Sequence, residues 1–166
     1  MTEGSPPPSA PASGPGPAPR RVPALGYADF EPGAVFESYA RTITEADLVA
    51  FTQFAGNRLP IFLDDEHARH VGPHGGRIAP GFLAASVSGA MIESVLGPGT
   101  LAGLSMDGFR FAVPVRPGDT LRARVTVTER RESKHPERGV VGVRVEVMNQ
   151  RAECALSYRT TVLMQR

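Results

Sequence analysis

At 166 residues, 41% hydrophobic and 21% charged, the chain has the size and composition of one soluble domain with a self-sustaining core; neither a fibre nor a membrane span fits. Its net charge of +1, with Lys and Arg dispersed among acidic residues, argues against nucleic acid as a partner, because phosphate binding needs a concentrated basic face. A single cysteine excludes an intrachain disulfide and fits a reducing compartment.

Residues 1–24, "MTEGSPPPSAPASGPGPAPRRVPA", hold half of the 16 prolines and almost no large apolar side chains. Such a segment buries too little surface to offset its ordering entropy, so a disordered or polyproline-like tail is expected, with the folded domain spanning 25–166. Arg20 and Arg21 resemble an export signal, but "VPALGYADFEPG" after them contains no hydrophobic segment of useful length. The expected location is therefore the cytoplasm.

"ESYARTI" (37–43) is extended in character. Thr44 and Asp47 then form a capping-box-like start to "EADLVAFTQFA", whose Leu48, Phe51 and Phe54 make a helical stripe over 45–55, and Gly56 stops it. "NRLPIFLDDEHARHVGPHGG" reads as a loop with one or two helical turns around Asp64 to His70, ended by Gly72, Pro73, Gly75 and Gly76. The run "GFLAASVSGAMIESVL" after Pro80 carries one charge and apolar groups on every side, the pattern of a buried helix, and "GPG" at 97–99 ends it.

The last third changes period. "TLRARVTVT" (120–128) and "VVGVRVEVM" (140–148) alternate with a spacing of two, as half-buried strands do. With "GFRFAVPVRPGD" (108–119) before and "ECALSYRTTVLM" (153–164) after, they predict an antiparallel meander of four strands, Pro114 demoting part of its segment to an edge or bulge. The fold class is α+β, an antiparallel sheet wrapped around one long central helix.

This order of elements resembles the hot-dog fold, and within it the MaoC-like (R)-specific enoyl-CoA hydratase and dehydratase family, over roughly 27–165. Three pieces carry the resemblance: "FTQFAGNRLPIFLDDEHA", like the hydratase loop; "GGRIAPGFLAASVSG", like the entry to the central helix; and "FRFAVPVRPGDTL", like the strand and turn after it. The family's loop reads approximately Asp-x-Asn-Pro-(Ile/Leu)-His, its Asp and His sharing a water that adds to, or leaves from, the β-carbon of an acyl thioester. On this chain the Asp falls at Asn57, the Asn at Leu59, the Pro at Pro60 and the His at Phe62. Asn has no accessible basic form and Phe can transfer no proton, so the ordinary mechanism cannot operate as written. The family's His-Gly before the helix is Pro80-Gly81 here. Gly81 keeps the backbone N–H that would donate to the thioester carbonyl, and Ser88 matches a polar position bordering the family's water site.

The resemblance thus implies a site with Asn57, Gly81 and Ser88 at its chemical centre and Phe62, Pro60, Ile61, Pro80 and Phe82 against the substrate. It implies an acyl-CoA or acyl-carrier-protein thioester as ligand, no cofactor, no metal, and a homodimer or a hetero-oligomer with another hot-dog subunit. Two readings stay open: an enzyme with atypical dehydratase or repurposed chemistry, such as cyclisation of a polyketide-like chain, or a non-catalytic subunit supporting an active partner. A thioesterase is a third option, its helix carboxylate matched only by Glu93.

Other reactive residues have ordinary explanations beside functional ones. His67, His70 and His74 would share a face on an unbroken helix, but Gly72 and Pro73 interrupt it; His67 or His74 could substitute as acid or base. Asp64, Asp65 and Glu66 suit the first turn of a short helix. Cys154, in a strand pattern, reads as a small buried residue. "RRESKHPERG" (130–139) is a charged turn whose cations could meet coenzyme A phosphates, and Gly97, Gly99 and Gly103 are loop punctuation.

Overall fold

A computed structural model describes residues 25–166; the expected N-terminal tail lies outside the described residues. The chain forms β1 (Val35–Thr42), α1 (Glu45–Ala55), α2 (Pro60–Leu63), α3 (Asp65–His70), α4 (Gly81–Leu96), β2 (Thr100–Phe111), β3 (Thr120–Glu132), β4 (Arg138–Met148) and β5 (Cys154–Gln165). The strands make one antiparallel sheet in the order β1-β3-β4-β5-β2.

The order corrects the expected four-strand meander. Only β3, β4 and β5 follow one another across the sheet; β2 pairs with β5 at the far edge. The strand also begins at Thr100 and stops at Phe111, so Gly103 lies inside it and Pro114 beyond it. Period-two alternation fails in this segment because β2 is exposed along nearly its whole length and has irregular register at three points, one of them between Asp107 and Arg110, where Gly108 takes a positive φ of 68°. The charged turn is shorter than its composition suggests: β3 continues through Glu132 and β4 starts at Arg138. Strand ends that reach solvent need no apolar alternation to stay paired.

Local chemistry explains α1. Thr44 Oγ1 accepts the Asp47 N–H at 3.1 Å and Asp47 Oδ2 accepts the Thr44 N–H at 2.8 Å, a reciprocal capping box; Gly56 closes the helix in the left-handed region. Hydrogen bonds from Thr44, assisted by Arg41, hold the Asp47 carboxyl below its ordinary range. Asp64 caps α3 by accepting the His67 N–H at 2.9 Å, and Asp65 and Glu66 follow in its first turn.

The core lies between α4 and the inner face of the sheet. Leu83, Val87, Met91 and Val95 of α4 meet Leu121, Val125, Val143, Val145 and Leu156, with Phe30 and Ile43 closing the sides. α4 is not buried all round as its composition suggests: Phe82, Ser86, Ala90, Glu93 and Ser94 face outward. Among the described residues no helix is long and apolar enough to cross a membrane.

Candidate active site

α4 begins abruptly at a buried Pro80, whose carbonyl accepts from Leu83 at 2.9 Å. The N–H groups of Gly81 and Phe82 have no preceding helical carbonyl to bond, so this end carries free donors and the positive pole of the helix. Both residues line a cavity of about 390 Å³. Its remaining walls are chiefly carbon: Phe62 from α2, Ile78 from the loop before α4, Phe111 at the end of β2, Val113 and Val115 after it, and Leu156 of β5.

Gly81 leaves room that a side chain would take from Phe111. A Cβ there would stand 2.7 Å from Phe111 Cε1, well inside contact distance. Phe111 stacks on Phe109 at 6.3 Å, Phe109 on Tyr158 at 5.0 Å, and Phe82 meets Phe111 edge-on at 6.0 Å, so an aromatic wall continues from the cavity mouth into the core.

The loop that carries the cavity's other side is stitched in place. Ala79 N–H donates to the Val115 carbonyl at 2.7 Å and Ile78 N–H to the Ile61 carbonyl at 3.4 Å. Arg77 binds Asp65 at 2.9 Å and Glu45 at 2.6 Å, joining this loop to α3 and α1; these carboxylates raise its pKa further above the ordinary guanidinium value. Arg116 donates to the carbonyls of His74 and Arg77, and its own N–H is held at 2.8 Å by Asp119. Burial would raise the pKa of Asp119, but hydrogen bonds from Gln150, Arg116 and Arg151 outweigh it and the net shift is downward.

Of the residues singled out from sequence, Phe62, Gly81 and Phe82 come together here, while Asn57 does not join them. Its Oδ1 accepts the Leu59 N–H at 3.3 Å, and the residue borders a separate depression with Val49, Gln53 and Leu63. An Asn two residues ahead of such an N–H is committed to the turn. Pro60 opens α2, Ile61 serves through its carbonyl, and Pro80 caps α4; none of the three lines the cavity. Ser88 is fully buried one layer below, donating to Ala85 O at 2.7 Å and lying 3.1 Å from the Tyr158 hydroxyl. Burial, only partly offset by the Ser88 contact, raises the Tyr158 pKa.

His70 Nε2 sits 3.4 Å from Glu66 on the exposed side of α3, His67 is half-buried beside its cap, and His74 lines the cavity. Among the described residues no three His, Cys, Asp or Glu side chains gather as a metal site. Cys154 is half-buried; burial and the nearby Glu146 raise its thiol pKa, the reverse of what a nucleophile needs. Sequence reasoning missed Phe111, Val113 and Val115 as cavity walls, although "FRFAVPV" carries them, because a strand pattern does not show which inward residue lies over a helix end.

Comparison with known proteins identifies the family. A 3-hydroxybutyryl-CoA dehydratase of Methylorubrum extorquens is 34% identical over 105 residues, 63% of this chain and 65% of that one. The Protein MaoC of Klebsiella aerogenes is 32% identical over 110 residues, but this chain covers 66% of itself and only 32% of that protein. The chain therefore spans from about a third to just under two thirds of the length of these curated relatives. Among solved structures, an unliganded (R)-hydratase from Pseudomonas aeruginosa superposes with a TM-score of 0.70 at 32% identity over 86% of this chain and 87% of that one. A Mycobacterium tuberculosis protein described as a double hot-dog fold matches with a TM-score of 0.77 at 24% identity, over 88% of this chain and 46% of that one, a likeness of fold. The sequence profile of the MaoC like domain matches residues 29–149, and with the sheet, the central helix and the cavity at its N-terminus in place, the chain belongs to the MaoC-like family with a hot-dog fold.

Proposed function

We propose that this chain binds an acyl thioester, on coenzyme A or a carrier protein, with the carbonyl oxygen at the N-terminus of α4 and the acyl chain in the apolar cavity, and that it acts as an atypical hydratase or dehydratase. The observation that carries this is the pairing of a carbon-lined cavity of about 390 Å³ with the first-turn N–H groups of Gly81 and Phe82. Such donors stabilise the negative charge that develops on a thioester oxygen when a proton leaves or joins the α-carbon. Relatives named as 3-hydroxybutyryl-CoA dehydratase and (R)-specific enoyl-CoA hydratase support the same chemistry. Phe62 makes the cavity drier than an imidazole would, which favours a hydrophobic acyl chain.

The test is mass-spectrometric conversion of crotonyl-CoA and longer enoyl-CoA esters to 3-hydroxyacyl-CoA by the native protein, beside the variant Phe62→His, which returns an imidazole to the cavity wall. Turnover by the native protein is the expected result. Turnover confined to Phe62→His would mean an intact thioester pocket without native hydratase activity; turnover by neither would sink the hydratase reading.

A second reading is favoured by a specific surface. Leu101, Leu104 and Met106 of β2 and the outer face of α4 are exposed. This face suits a second hot-dog unit, either another copy or a distinct catalytic chain, and in the latter case the chain described here supplies walls and stability instead of turnover.

A further inference from the structure

We propose that His74 is the acid–base residue of the cavity. This rests on the hydratase reading above and goes beyond it by naming the proton-transfer group. The chain has four histidines. His67 is absent from the cavity's lining and only its backbone N–H meets the Asp64 cap, His70 faces Glu66 in solvent, and His135 sits in the turn between β3 and β4. Of the four, His74 alone borders the cavity, where it is exposed, and it is the only ionisable residue among the lining ones.

The backbone on either side of it is held in a fixed course. Gly75 has φ 65° and Gly76 φ 158°, so the chain turns sharply just after His74 in conformations that side chains disfavour. A Cβ at Gly76 would also stand 2.9 Å from Arg116 Nη1. That guanidinium closes on the His74 and Arg77 carbonyls, fixing the backbone while leaving the imidazole without a hydrogen-bond partner among the described residues. An exposed imidazole at the mouth of a carbon-lined cavity whose wall also holds helix N–H donors supplies the proton-transfer group that this lining otherwise lacks.

The step balances with one base. Neutral His74 takes a proton from water as the water oxygen bonds to the β-carbon; the alkene π pair moves toward the α-carbon and the carbonyl oxygen, where the Gly81 N–H donates. The imidazolium then delivers the same proton to the α-carbon, so one water is added and His74 ends neutral. Dehydration is the reverse.

The experiment uses the full chain, with crotonyl-CoA and trans-2-octenoyl-CoA as substrates and octanoyl-CoA, which cannot be hydrated, as the binding probe. His74→Gln is expected to lower kcat on the order of 10²- to 10⁴-fold while octanoyl-CoA affinity by calorimetry is retained. His74→Gly is expected to regain turnover when free imidazole is added, which a loop defect would not show. Undiminished turnover in both variants overturns the assignment and leaves the hydratase reading standing. Binding of octanoyl-CoA with no turnover by the native protein overturns the hydratase reading itself, and the role of His74 with it.

Discussion

Gly81 shows how closely the site depends on single atoms. A methyl group there cannot coexist with Phe111 where it stands, since 2.7 Å separates the two positions, but half of the Phe111 surface is exposed and its ring has room to swing. Gly81→Ala is therefore expected to change stability by no more than about 1 kcal/mol. The displaced ring would nevertheless narrow the cavity mouth, so octanoyl-CoA affinity measured by calorimetry should fall by about tenfold or more. Adding Phe111→Ala should restore much of that affinity. If Gly81→Ala binds the probe as well as the native chain, the thioester does not lie at this helix end. Gly81 was singled out in the sequence through the resemblance, while its close contact with Phe111 was not legible there. The role of Asn57 was not legible: its hydrogen bond to Leu59 depends on how the turn after α1 closes.

At the scale of elements, β1 shows how an irregular strand is made tolerable. Its register to β3 shifts between Glu37 and Ala40, which leaves the Ala123 N–H facing a gap in the ladder. Ser38 Oγ accepts that N–H at 2.9 Å and donates to the Tyr39 carbonyl at 2.7 Å, in a place where Ser38 is buried. Ser38→Ala would strand a buried amide donor, so a loss of about 1–3 kcal/mol in urea unfolding is expected; a loss near zero would mean that water or a local shift satisfies Ala123. β4 shows the opposite case. Flanked by β3 and β5, its valines 140, 141, 143, 145 and 147 are all buried, and the run was readable as a strand because Val143, Val145 and Val147 alternate with Arg144 and Glu146. β2, of similar length, was misjudged at both ends because an edge strand with exposed side chains leaves no periodic trace.

For the molecule as a whole, the proposed pairing of hot-dog units follows from what a single chain leaves uncovered. β2 is a long edge, and Leu101, Leu104 and Met106 on it are about half exposed at 49%, 51% and 48%. An unprotected edge of this kind invites association. Sedimentation equilibrium of the native chain at micromolar concentration is expected to give a dimer, and Leu104→Glu with Met106→Glu to give a monomer. A native chain that stays monomeric, and gains no partner of the same fold when co-expressed with one, would exclude this edge as an interface.

The amino-acid sequence by itself determined the local elements whose signals are chemical and short in range: the Thr44/Asp47 box and Gly56 around α1, the long apolar α4 opened by Pro80-Gly81, and the alternating strands β3, β4 and β5. These rest on capping, backbone freedom and period, which neighbouring residues decide among themselves. The placement of β2 beyond β5, the withdrawal of Ser88 beneath the aromatic wall, the separation of Asn57 from Phe62, and the arrival of His74 in the same cavity as Gly81 were decided only by the tertiary structure. Each depends on contacts between segments far apart in the chain, where packing against a common helix, and not local preference, determines which side chain meets which.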